Sequence, residues 1–339
     1  MLHFDGGQRA VSPKLTINTV TDRIKSRKWS PTSLVPASLY RRELVHRLKV
    51  DQKELSGVRF RLASSLDEKE QAFRLVHTSY VERGIATPTR SGLTFSPFHI
   101  LPGTTTFIAE KEGRIIGTIS LVEDSPIGLP MEGVHPVEVA GLRYNGRRLA
   151  EVGTLAVASD VRGRGIPLIL YNTLFRWARR YRMIEDLVIA VHPRVRTFYC
   201  NGLLFERLGP TRKYNALNGA LSTPLHIDLT NGPARYRDVY DRGGMEITIA
   251  GRRTNLYRFF VEDFIEQVEL PQNSYFPFTL SSPPIWSEDD VIAYFLSCRI
   301  EFGELPRQIK KAIENIYPGL VNKSLETKTA SKLSLVALG

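Results

Sequence analysis

The stretch Gly57–Leu62 (GVRFRL) alternates apolar and polar side chains with the two-residue period of a strand. Behind Ser65 or Asp67, the residues Ala72, Phe73, Leu75, Val76 and Tyr80 recur at helical spacing, and Gly84 is placed to end that helix. Ile85–Gly103 carries Pro88, Gly92, Pro97 and Pro102 and reads as a long loop. Two further runs, Thr105–Glu110 and Arg114–Val122, flank the turn Glu112-Gly113 as a hairpin. A Pro- and Gly-rich interruption covers Ser125–Asn145. After it come a strand at Glu151–Ala158, a basic loop at Arg162–Pro167 and a helix at Leu168–Tyr181. Asp186–Val191 (DLVIAV) has the unbroken apolar character of a buried strand, Val195–Leu203 has a helical pattern, and Leu225–Leu229 is one more strand. This order predicts an α+β fold, a mixed sheet flanked by helices.

The flanks differ in character. Residues 1–56 are a polar arm with prolines at Pro13, Pro31 and Pro36, then a basic helical stretch over Leu39–Val50 behind Ser38. Beyond Asn231 the pattern predicts a strand at Met245–Ile249 and helices at Leu256–Ile265, Ile285–Arg299 and Pro306–Tyr317, the second capped by Ser287 with Asp290 three residues on. The last residues, rich in Lys, Ser and Thr, are expected to fray. Three parts are therefore expected: an N-terminal basic arm and helix over 1–56, a catalytic core over 57–230, and a mainly helical extension over 231–339.

With 42% hydrophobic and 24% charged residues in 339, the composition is that of a globular protein. It lacks a run of about 18 apolar residues and a basic-then-apolar leader, so neither a spanning helix nor a secretory signal is expected. The two isolated cysteines, Cys200 and Cys298, fit a reducing cytoplasm, and the seven scattered histidines form no ligand pair, so no metal site is expected. Charge changes the picture more. Of the net +11, a net +9 (14 basic against 5 acidic residues) lies between Gly141 and Lys213. Basicity of this density attracts nucleic acid, an anionic membrane or an acidic protein.

The chemistry concentrates after the strand at Glu151. There the chain enters a loop at a helix N-terminus, whose unpaired N–H groups and dipole favour phosphate. Gly163 and Gly165 leave room for a ligand to approach the backbone, and Arg162 and Arg164 add charge. The loop resembles the Arg/Gln-x-x-Gly-x-Gly/Ala element of the GNAT superfamily, with Arg162 and Gly165 in its first two places and Pro167 where the last Gly or Ala is expected. Proline has no N–H, so one phosphate donor is missing. A second element, Thr197–Glu206 (TFYCNGLLFE), resembles the family's Phe-Tyr-x-x-x-Gly-Phe-Glu, with Leu204 replacing the glycine. The runs TTTFIAEKEGRIIGTISLVEDSPIGLP, RRLAEVGTLAV and DLVIAVHPRVRTFY narrow the resemblance to the N-acyl amino acid synthases, over roughly Gly57–Leu229.

That resemblance implies a GNAT fold and transfer of a long-chain acyl group from acyl carrier protein to the amine of an amino acid. The donor would be an acyl-phosphopantetheine thioester, or acyl-CoA, with no tightly bound cofactor. It implies Tyr199 as the acid that protonates the departing thiolate. Direct attack needs no enzyme nucleophile, so Cys200 is expected to be a small packed residue. Glu151 is the first candidate for the base and Glu82 the second. Backbone N–H groups near Ala156–Ala158, in the strand that opens at Glu151, are the expected oxyanion donors. Phe95 and Phe98 of the long loop, with Leu155, are candidates for the wall of an acyl tunnel. Arg176, Arg179, Arg180 and Arg182 form a basic helical face suited to an acidic carrier protein. Three alternatives stay open: a GNAT enzyme carrying acyl-CoA to a small amine, a basic nucleic-acid- or membrane-binding protein with an inactive core, and an acyl-homoserine-lactone synthase, which also takes acyl carrier protein.

Overall fold

The computed structural model describes residues 36–262, 264–271 and 286–320. Pro13, Pro31 and the Lys/Ser/Thr-rich end lie outside them.

In chain order, helix α1 (Ala37–Arg47), strand β1 (Lys49–Val50) and the single turn α2 (Gln52–Leu55) precede β2 (Val58–Leu62). Helix α3 (Leu66–Glu82) begins at a complete capping box, the Ser65 hydroxyl accepting from the Glu68 N–H while Glu68 reaches back. Strands β3 (Thr104–Lys111) and β4 (Arg114–Glu123) form the expected hairpin, and β5 (Leu149–Val157) follows helix α4 (Pro136–Tyr144). Helix α5 (Ile166–Arg176) leads to β6 (Asp186–Val191), and the short β7 (Glu206–Arg207) and β8 (Arg212–Tyr214) precede β9 (Ala220–Asp228). These strands form one mixed sheet in the order β2-β3-β4-β5-β6-β9-β7, with β8 also on β9. Ile108 and Ile115 pack with Ala72 of α3, while their neighbours Phe107 and Ile116 join the cluster containing Ile166 and Leu170 of α5. Adjacent strand residues face opposite ways, so the two helices cover opposite faces.

Helix α4 departs from the expected interruption over Ser125–Asn145. Its proline is the first helical residue, Pro136, where a missing N–H costs nothing. The helix expected over Val195–Leu203 is broken into a 3-10 turn at Pro193–Val195 and a π turn at Phe198–Gly202. That expected over Leu168–Tyr181 ends as α-helix at Arg176 and continues as a π turn over Trp177–Tyr181.

Beyond β9 lie α6 (Gly232–Tyr236), β10 (Ile247–Ile249), β11 (Arg252–Thr254) and α7 (Leu256–Val261). β1 pairs in parallel with β10, so the segment before the large sheet is tied to the segment after it. Helices α8 (Glu288–Ser297) and α9 (Arg307–Ile316) bury Trp286, Val291, Phe295, Ile313 and Tyr317 against Phe73, Leu93 and Ile100. The Tyr317 hydroxyl donates to the Ile100 carbonyl at 2.9 Å and the Trp286 N–H to that of His99 at 3.2 Å. The ammonium of Lys69 lies 5.6 Å from the Trp286 ring, and its burial lowers its pKa to about 8.

Candidate active site

β5 and β6 run parallel but pair only through Leu149, Ala150 and Glu151 against Asp186, Leu187 and Val188. Two features separate them beyond that point. β5 carries a bulge, since Thr118 faces Ala156 but Ser120 faces Gly153, and Thr154 within it has a φ of +42°. β6 meanwhile stays on β9 as far as Val191. The result is a wedge-shaped cleft with Glu151 at its vertex.

Glu151 is 6% exposed, and one carboxylate oxygen accepts from the Met131 N–H at 2.7 Å. Burial raises its pKa to about 8; the Met131 hydrogen bond opposes that rise, and the nearby Glu132 charge adds to it. Met131 is delivered by the 3-10 turn Pro130–Gly133, held in turn by Arg143, which bridges Asp124 at 2.7 Å and Glu132 at 2.6 Å. The segment between β4 and β5 is therefore built to seat a backbone amide on the vertex carboxylate.

Tyr199 lies on the π turn, buried, with its hydroxyl 2.6 Å from that of Tyr171 on α5. Burial pushes Tyr199 up to about 12, and the Tyr171 hydrogen bond acts against that rise. Counting from Tyr199 to Leu204 finds four intervening residues where the family element has three. The π turn takes up the additional residue, with the Leu203 N–H donating to the Phe198 carbonyl five residues back at 3.2 Å. Leu204 has a φ of +58°, the left-handed conformation that a glycine adopts without strain. Tyr80, near the C-terminal end of α3, lies within electrostatic reach of both Glu151 and this pair. Burial raises its pKa; the Arg83 charge opposes this, and the Glu151 and Tyr214 charges add to it. Its own charge in turn raises Tyr171 and Tyr199. Tyr80, Tyr171 and Tyr214 were not singled out from sequence, where Tyr80 counted only as part of an apolar stripe. Aromatics at helical spacing carry no sign of which buried charge or hydroxyl each will lie near.

Of the amides over Ala156–Ala158 expected to hold an oxyanion, the two outer ones are placed otherwise. The Ala158 N–H donates to the Ile116 carbonyl at 2.9 Å. Ladder bonds in an antiparallel pair alternate, so Ala156, opposite Thr118, is committed to β4 as well. Val157 between them faces the cleft, and the amide in position is therefore Val157.

The loop before α5 is crowded by the chain itself. Gly165 has a φ of +78°, and a Cβ there would lie 2.6 Å from a methyl of Val50. Arg164 pairs with Glu54 of α2 at 3.1 Å. Arg162 pairs with Glu82 at 2.7 Å and donates to the Val157 carbonyl at 3.4 Å. Glu82, the second candidate base, thus neutralises a loop arginine. Gly163, with a φ of +88°, allows the tight turn. Gly165→Ala combines left-handed strain with this collision and should cost about 2–3 kcal/mol. Val50→Ala in the same chain should restore part of it, read from denaturant midpoints; a midpoint unmoved by Gly165→Ala would show that Val50 does not fill this space.

Phe95 is wedged among Phe73, His99, Trp286, Tyr294 and Phe295, with ring centroids 5.3–6.1 Å apart. This corrects its tunnel assignment: the ring is committed to the seam with α8. Phe98 packs with Val122, Leu129, Met131 and Val188, around the vertex, and Leu155 lies half-buried beside the main core. The basic helical face is corrected too. Arg176 is buried, Arg180 donates to the Val261 carbonyl and Arg182 pairs with Glu123 at 2.5 Å, which leaves Arg179 exposed. They sit at the far end of α5, about 16 Å along an 11-residue helix from the cleft mouth.

A histidine–serine pair away from the cleft resembles a nucleophile and base but cannot act as one. His135 Nε2 lies 2.9 Å from the Ser222 hydroxyl, and Arg212 donates to its Nδ1 at 2.8 Å. Arginine only donates, so the proton sits on Nε2 and points at the serine. The imidazole has no lone pair left to take the serine proton. Cys200 is half-buried, and burial raises its thiol pKa.

Residues 71–228 match the model of the family described as N-acyl amino acid synthase FeeM. The match contains Glu151, Tyr199, Tyr171 and the loop before α5. The chain is an amide-forming N-acyltransferase of the GNAT fold, as its motifs imply. Among solved structures it is similar to FeeM, an N-acyl amino acid synthase from uncultured soil microbes, at 28% identity over 52% of this chain and 93% of that one, with a TM-score of 0.47. It is also similar to BjaI, a CoA-dependent acyl-homoserine lactone synthase, at 18% identity over 54% and 90% with a TM-score of 0.40. A third is a SpeG spermidine N-acetyltransferase mutant from Vibrio cholerae, at 17% over 53% and 98% with a TM-score of 0.36. No curated protein sequence matches the chain.

Proposed function

We propose that this protein transfers a long-chain acyl group from the phosphopantetheine thioester of an acyl carrier protein to the amine of an amino acid, within a core over 57–230. The observation that carries the donor assignment is the state of the loop before α5. Coenzyme A would need this loop for its pyrophosphate. Here Val50 fills the face of Gly165, Glu54 and Glu82 neutralise Arg164 and Arg162, and Pro167 offers no N–H. A carrier-bound arm has no nucleotide half and needs only the cleft between β5 and β6.

In the reaction, Glu151 takes a proton from the acceptor amine, which attacks the thioester carbonyl. The Val157 N–H holds the oxyanion, and Tyr199 protonates the thiolate as the C–S bond breaks. The acidic carrier meets the cleft mouth, where the turn after β6 presents the exposed Arg194 and Arg196. Palmitoyl carrier protein and palmitoyl-CoA, each incubated with the protein and the twenty amino acids, should give N-acyl amino acids by mass spectrometry, at least about tenfold faster from the carrier. Equal rates from the two donors would overturn the donor assignment and leave the acyltransferase chemistry standing.

A further inference from the structure

We propose that Tyr171 is a positioning residue for leaving-group protonation: its hydroxyl donates to Tyr199 and holds the Tyr199 proton toward the departing sulfur. The inference rests on the acid role of Tyr199 and deepens it. The two hydroxyls lie 2.6 Å apart, their rings meet edge to face at 6.1 Å, and both side chains are buried, Tyr171 to 1% exposure. At such a contact one phenol donates and the other accepts. If Tyr199 donated to Tyr171, its only proton would point away from the substrate. With Tyr171 as donor, the Tyr199 proton is free for a third atom, and the phenolate left behind already has a partner.

The surroundings favour that direction. α5 carries Tyr171 between Leu170 and Asn172 in a run that is buried throughout, so its proton has Tyr199 to reach. Tyr199 sits on the π turn, whose wider bonding re-aims side chains relative to an α-helix. Burial alone holds the Tyr199 proton tightly, and the Tyr171 hydrogen bond is what weakens that hold. Proton and electrons balance within the transfer. The C–N bond forms, the C–S bond breaks with its electron pair on sulfur, and Tyr199 gives sulfur a proton. The phenolate, hydrogen-bonded by Tyr171, then regains a proton from the one that Glu151 took from the amine. Net, one amine hydrogen ends on the thiol.

The test compares leaving groups, using the acceptor identified in the donor screen. Tyr171→Phe and Tyr199→Phe are assayed with the palmitoyl thioester of N-acetylcysteamine, a basic alkyl thiol, and with that of 4-nitrothiophenol, which leaves without a proton. Tyr199→Phe should lose about 100-fold and Tyr171→Phe about tenfold on the alkyl donor, about 1.4 kcal/mol for the latter. Both should fall within about threefold of the wild type on the acidic one. Because the readout is a ratio within one protein, loss of folded material cancels. If Tyr199→Phe is equally slow on both donors, the acid role fails and this inference with it. If Tyr199→Phe is rescued while Tyr171→Phe changes both donors alike or neither, the acid role stands and the positioning role is overturned. As a second variant, 3-fluorotyrosine at position 171 keeps the shape and strengthens the donor. It should shift the alkaline limb of kcat for the alkyl donor to lower pH, and an unmoved limb counts against the proposal.

Discussion

Glu151→Gln should lower kcat/KM by about 100- to 1000-fold, within the usual range for removing a general base, while making the folded protein more stable at alkaline pH. Both effects have one cause. The wild-type carboxyl titrates near pH 8 rather than at its ordinary 4.5 because burial penalises its charged form. As a base it must be ionised, so kcat/KM for the wild type should rise with pH and level off above about 8. The variant should lack that limb. For stability the sign follows from proton counts. Between about pH 4.5 and 8 the folded state holds a proton that the unfolded state has released, so this group's contribution falls as pH rises and is lost above 8. A shift from 4.5 to about 8 corresponds to at most about 5 kcal/mol. Glutamine keeps an oxygen for the Met131 N–H and carries no charge. Its melting temperature should therefore exceed that of the wild type at pH 9 and converge with it near pH 5. A variant that is both fully active and no more stable at pH 9 would remove Glu151 from the base role.

Asp186→Ala should destabilise the fold by about 1.5–3 kcal/mol, the cost of removing a buried, charge-assisted hydrogen-bond partner from an Arg147 that stays partly exposed and keeps Asp228. Asp186 opens β6 opposite Leu149, its side chain 2% exposed and paired with Arg147, which also reaches Asp228 at 3.0 Å. This network closes the narrow end of the wedge, and with it the point from which β5 and β6 separate. Asp186→Asn retains an acceptor for Arg147 and should cost clearly less. Denaturant midpoints with unchanged slope would measure both. A loss below about 1 kcal/mol for the alanine variant would mean that the sheet closes without the ion pair.

Much of the sheet was legible because its signals are local. Alternation located β2, the turn Glu112-Gly113 between two runs located β3 and β4, an unbroken apolar run located β6 to the residue, and Ser65 marked the start of α3. Helix α4 escaped because Pro136 reads as a breaker until its position at the first helical residue is known. The π turn at Phe198–Gly202 escaped because one residue beyond the family spacing does not say how the backbone absorbs it.

Within the site, the sequence by itself determined which residue types are present and in what order: a carboxylate opening β5, a basic glycine loop before α5, and a tyrosine after β6. Only the tertiary structure decided what each of them faces. It buries Glu151 under Met131, which shifts its pKa, and it turns Val157 rather than Ala156 or Ala158 to the cleft through ladder alternation. It sets Val50 and Glu54 on a loop more than 100 residues away in the chain, and pairs Tyr171 with Tyr199 across two helical segments. Periodicity reports the side of an element on which a residue lies. Burial, hydrogen bonding and charge pairing depend on elements distant in sequence, and it is these that turn a polar residue into a base, an acid or a closed door.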